Sequence, residues 1–150
     1  MPVLHTVASG LIRCKTSTFS KLDAPASQGC MRESSVELSP LLWWRTRRPE
    51  DLSYRDVRTV RSVLLRTDPI DDYDWSQALG GNPAAAIGVA IRVLKFHGMT
   101  NPLTDTAMSA VLCCFLEDDH ASIALITSAL RRRTKIDPRC HDLRLLWRSV

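Results

Sequence analysis

Between Thr104 and Glu117 the chain has almost no polar face to offer a helix. Ala107, Met108, Ala110, Val111, Leu112, Cys113, Cys114, Phe115 and Leu116 would cover nearly the whole circumference. A surface helix keeps a polar side, and a helix apolar all round is a buried one. The segment therefore predicts a central helix from Asp105 to about Glu117, capped by Thr104, with the other helices packed about it.

The neighbouring segments supply those helices. Asn82-Pro83 reads as an N-cap followed by proline at the first helical position, where its missing N–H costs nothing. Gly98 suits the left-handed residue that closes a helix. Between them Ile87, Ala90, Ile91 and Leu94 share one face. Asp137-Pro138 repeats the start signal ahead of Leu143, Leu146 and Trp147. Ser39-Pro40 begins a short helix through Trp43 and Trp44. Ser53 with Asp56 forms a capping box ahead of Val57, Val60, Val63 and Leu64, and Pro49 offers an earlier start. A last long helix is expected from about His120 to Arg133. No segment alternates apolar and polar residues with β-branched enrichment, so essentially no sheet is expected.

The fold class is thus all-α: a compact bundle of about five helices. A shift of 36 residues lays Ala85, Ile87, Val89, Ala90, Val93 and Leu94 over Ala121, Ile123, Leu125, Ile126, Ala129 and Leu130. This allows two helical-hairpin units, near the period of helical repeats, although two units are fewer than such arrays need. Residues 39–150 form the helical domain. Residues 1–38 read as a flexible tail with no acid before Asp23, and Arg13, Lys15 and Lys21 sit among many Ser and Thr. Such a composition also suits a targeting or export segment.

At 45% hydrophobic and 24% charged, the composition excludes a wholly disordered chain, a collagen and a membrane bundle. The longest uncharged stretch, 17 residues from Trp75 to Ile91, is broken by Pro83 and three glycines. A membrane span needs about 20 predominantly apolar residues. The five cysteines show no framework spacing and read as reduced, buried small hydrophobes in a cytoplasmic compartment. Zinc spacing is missing too, so no metal or cofactor is expected. Glu117-Asp118-Asp119-His120 gathers carboxylates and an imidazole. Its simplest reading is acid at a helix start, balanced by Arg131, Arg132 and Arg133 at the helix end.

Charge falls in blocks. Residues 39–66 hold seven Arg against three acids, net +4, and residues 67–81 hold four acids and no base, net −4. Residues 120–150 hold seven bases against two acids, net +5. Two features point to macromolecular contact rather than catalysis. One is Trp43-Trp44: adjacent residues on a helix diverge, so one anchors the helix while the other stays exposed for a protein partner. Otherwise both lie under loop 67–81, with Tyr73 and Trp75 as neighbours. The other is arginine. Arg55 and Arg66 share a helix face with Arg58 beside them, and Arg131, Arg132 and Arg133 close another helix. If the two sets converge they can hold a nucleic-acid backbone. The leading expectation is a non-enzymatic protein acting through a protein partner or a second copy of itself, without a membrane. Weak nucleic-acid binding is the alternative, and a secreted or targeted effector is a third.

Overall fold

A computed structural model describes residues 38–150. The reading of residues 1–38 as a tail or address segment falls outside these residues, apart from Leu38. Among the described residues there are six α-helices, two 3-10 turns and no strand. The turns are Pro40–Arg45 and Pro49–Asp51. The helices are α1 (Tyr54–Leu64), α2 (Trp75–Leu79), α3 (Pro83–Phe96), α4 (Pro102–Leu116), α5 (Ala121–Arg133) and α6 (Cys140–Trp147).

Helix α4 is the centre. Eleven of its residues are buried, and α1, α2, α3, α5 and the first 3-10 turn all pack against it. Its polar buried residues are satisfied locally. The Thr104 hydroxyl donates to Gly98 O at 2.6 Å. The Ser109 hydroxyl lies within donating distance of Leu41 O at 2.9 Å and Asp105 O at 2.8 Å.

The start signals hold with shifts of register. Asn82 caps α3, its Oδ1 accepting from Ala85 N at 3.2 Å, and Gly98 follows with φ +75°. Asp56 Oδ2 accepts from Ser53 N at 2.8 Å and from Ser53 Oγ at 2.9 Å ahead of α1. Pro49 does not begin α1 early, because Leu52 and Ser53 are extended and part the turn from the helix. Helix α4 starts at Pro102 rather than Asp105. Asn101 is the cap, accepting from Leu103 N at 2.9 Å, so Thr104 lies inside the first turn. Helix α6 starts at Cys140, two residues after Pro138. Asp137 first closes a tight turn by accepting from Arg139 N at 3.1 Å.

The helix count exceeds five because of α2, which occupies part of the expected loop 67–81. Trp75 and Ala78, three residues apart, are buried and hold it down. Its approach is fixed by Asp72, which accepts from Asp74 N at 2.9 Å and binds Arg92 through both carboxylate oxygens at 2.7 Å. The Arg92 guanidinium holds the Asp72 carboxyl below the usual carboxylate range. Past α2, Gly81 has φ +91°, and a Cβ there would stand 2.5 Å from Arg61 Nη2. The left-handed φ calls for glycine, and a Cβ would also push aside the end of the Arg61 side chain.

The chain from α3 to α6 makes two consecutive hairpins, α3–α4 and α5–α6, each of two helices packed together. Helix α4 ends in a Schellman motif. Asp118 N donates to Phe115 O and Asp119 N to Cys114 O, each at 3.0 Å, with Asp118 at φ +71°. The chain then reverses, and α5 runs back along α4. Its C-terminal end reaches the start of α4, where Arg133 Nη1 donates to Met99 O at 2.8 Å.

Candidate functional site

The two tryptophans do not supply an exposed anchor. Trp43 is 4% and Trp44 0% exposed. The expectation that one stays free assumed an α-helix on a single core face; the segment is instead a tighter 3-10 turn enclosed on two sides. Trp44 faces α4, its Nε1 donating to Asp105 Oδ1 at 3.1 Å. Trp43 donates to Leu38 O at 3.2 Å and lies under the Arg47 guanidinium, 3.7 Å from the ring centre. Tyr73, expected as a cover, is instead 81% exposed, beneath Arg92 at 4.8 Å.

Those contacts also engage the arginines beside the tryptophans. Arg45 grips Asp105 through two bonds, 2.7 and 3.0 Å, and Arg48 lies 3.9 Å from Glu50. Arg61 pairs with Glu117 at 2.6 Å and Arg92 with Asp72 and Asp74. Arg55, Arg58, Arg66, Arg131 and Arg132 stand outside every ion pair among the described residues, and all five are exposed.

These five do not form one surface. Tyr54, next to Arg55, lines a cleft with Leu116 and Asp118 at the end of α4, while Arg133 reaches Met99 just before its start. The 15 residues of α4 span about 22 Å at 1.5 Å each. Arg55 and Arg58 therefore lie at the opposite end of the bundle from Arg131, Arg132 and Arg133. The last three diverge as well, since successive helical residues point about 100° apart. Arg133 turns inward to Met99, Arg132 faces solvent, and Arg131 enters a groove between α5 and α6.

That groove holds about 260 Å³ and is lined by Ala124, Thr127, Ser128, Arg131, Arg144 and Arg148. Helix spacing explains the set. Ala124, Thr127, Ser128 and Arg131 are three or four residues apart on one face of α5, and Arg144 and Arg148 are four apart along α6. On α5 the opposite face is buried, while on α6 the buried Cys140 and Trp147 stand four and three residues from Arg144 and share its side, which leaves Arg144 half-buried. Ile126, Ala129 and Leu130 of α5 are buried, and Trp147 of α6 meets Phe115 edge-on at 4.8 Å. Three guanidinium-bearing residues and two hydroxyls thus line one concavity with no carboxylate among the described lining residues. Thr127 Oγ1 and Arg144 Nε are shut from solvent and meet no hydrogen-bond partner there. The sequence puts Arg144 and Arg148 in the basic C-terminal block but passes over Thr127 and Ser128. Their spacing was visible, and so was a hairpin of α5 with the next helix; which residues of α6 face the α5 groove was not.

The acidic cluster after α4 is taken up locally. Glu117 holds Arg61, and Asp119 Oδ2 accepts from Ser122 N at 2.9 Å and Ser122 Oγ at 2.6 Å. His120 Nδ1 lies 3.0 Å from Asp118 O. Asp118, Asp119 and His120 line an open cleft of about 320 Å³, with Pro49, Leu52, Tyr54, Phe115 and Ile123 as its apolar part. No three of His, Cys, Asp and Glu gather for a metal among the described residues. Burial pushes the Cys113 thiol up to about 12 and the Cys114 thiol to about 11, and it raises Cys140 as well. No helix among the described residues is long and apolar enough to cross a membrane. Compared with known proteins, the chain matches no family model, no curated protein and no solved structure.

Proposed function

We propose that this chain is a non-enzymatic helical module that works by macromolecular contact, its α5–α6 face holding a nucleic-acid backbone. One observation carries the reading: Arg131, Arg132, Arg144 and Arg148 lie on one hairpin, outside every ion pair among the described residues. Arginine is suited to bidentate contact with phosphate oxygens. Of the four acids in residues 67–81, Asp72 and Asp74 are neutralised by Arg92. A hairpin bearing four unpaired arginines, three of them lining one groove, gives modest, non-specific and strongly salt-dependent binding. In a fluorescence-anisotropy titration with duplex DNA and with RNA, log K should fall with log salt by about 0.9 for each phosphate neutralised on the duplex. Four arginines set a slope of up to about −4. Affinity independent of salt, or no binding at about 0.05 M salt, would contradict the reading.

A second reading, contact with a protein partner or a second copy, rests on the cleft beside Tyr54. Tyr54, Val150 and Ile123 give it an apolar lining, and Asp118 and Asp119 an acidic edge. Sedimentation equilibrium distinguishes the two. Self-association that is lost in Tyr54→Ala favours the cleft, and a monomer at all concentrations removes the second copy as its occupant.

A further inference from the structure

We infer that the groove between α5 and α6 is a built site for a compact phosphate dianion, either inorganic phosphate or the terminal phosphate of a small phosphomonoester. A backbone phosphate carries one charge and is spread along a strand. The groove instead gathers Arg131, Arg144 and Arg148 round one concavity of about 260 Å³. Like charges so placed repel one another, and a dianion between them reverses the sign of each interaction. The neutral donors complete the set. Thr127 and Ser128 bring hydroxyls to the same lining, and the Thr127 hydroxyl and Arg144 Nε lack partners among the described residues. Buried polar groups without partners are uncommon, and a phosphate offers acceptor oxygens to several donors at once. No carboxylate among the described lining residues competes for the guanidinium groups.

This inference goes beyond backbone binding and can fail separately from it, because its probe is a small anion. Calorimetric titration of the full chain at constant ionic strength, with sodium chloride replaced by sodium phosphate, should show saturable binding of one phosphate per chain. Arg148→Gln, on an exposed residue, should weaken it about tenfold, the value of one charge-assisted hydrogen bond. Arg144→Gln should weaken it at least as much, with a circular-dichroism melt confirming the fold. Arg55→Gln, on α1, should leave it unchanged. AMP and its 3′,5′-cyclic phosphodiester separate the sources. AMP equal to phosphate assigns the site to the free anion, and tighter AMP binding assigns it to a nucleotide end. Cyclic AMP should bind more weakly than either. Absence of saturable phosphate binding into the tens of millimolar would overturn the site. So would binding that survives both Arg144→Gln and Arg148→Gln, or cyclic AMP binding as tightly as AMP.

Discussion

The two hairpins share a plan and divide the work. Helices α3 and α4 both start with Asn-Pro, and α4 carries its packing residues on all sides. Helices α5 and α6 start without a side-chain cap from the N-cap residue and bury fewer residues: α5 carries Arg131 away from its buried side, and α6 holds Arg144 half-buried between Cys140 and Trp147 with Arg148 exposed at its end. The first hairpin bears two bases, and Arg92 is committed to Asp72 and Asp74. The second holds Arg131, Arg132, Arg144 and Arg148 without carboxylate partners among the described residues. A helix buried on every side stabilises the fold but has nothing to present to a partner. A helix buried on one side is free to carry function on the other.

If that division is right, substitutions should hurt the first hairpin far more than the second. Leu112→Asp should abolish cooperative unfolding in urea, since an unpaired buried charge costs several kcal/mol against a total stability of about 5–15 kcal/mol. Leu145→Asp, on the half-exposed side of α6, should change stability by less than about 0.5 kcal/mol. A folded Leu112→Asp protein would remove α4 from the centre.

Asp105→Ala tests the joint between the first 3-10 turn and α4. It strips Arg45 and Trp44 of their shared acceptor, and a loss of about 2–4 kcal/mol is expected in urea denaturation. Asn101→Ala should cost about 1 kcal/mol as a lost helix cap. At the bottom of the scale, Asp118→Gly should raise stability by roughly 0.5–1 kcal/mol. It relieves a left-handed non-glycine residue where the Schellman motif ordinarily takes glycine. A loss on Asp118→Gly would mean that its carboxylate contributes more than the backbone strain costs.

The same contrast separates what was readable in the sequence from what was not. The apolar circumference of 107–116 announces the central helix, because burial on all sides leaves a pattern in one segment alone. Asn82-Pro83 and Ser53 with Asp56 are equally local. The start of α4 shows the limit of a weaker cue: Thr104 and Asp105 resemble a cap, yet Asn101-Pro102 is the stronger signal three residues earlier. The fate of Trp43 and Trp44 was not legible, since it depends on Asp105 and Arg47 closing over a 3-10 turn. Nor was the arginine groove. Helical spacing puts Thr127 near Arg131 and Arg144 near Arg148, but only the packing of α5 on α6 joins the pairs.

The division of labour is tested most directly by two triple substitutions compared in one salt titration with duplex DNA. One removes Arg131, Arg144 and Arg148 by change to Gln, and the other removes Arg55, Arg58 and Arg66 in the same way. The expected result is that the first flattens the slope of log K against log salt by up to about three units. The second should leave most of the slope in place, because none of its residues lines the α5–α6 groove and Arg55 and Arg58 lie at the other end of the bundle. An equal loss from both sets, or a larger loss from the α1 set, would contradict a site on the second hairpin.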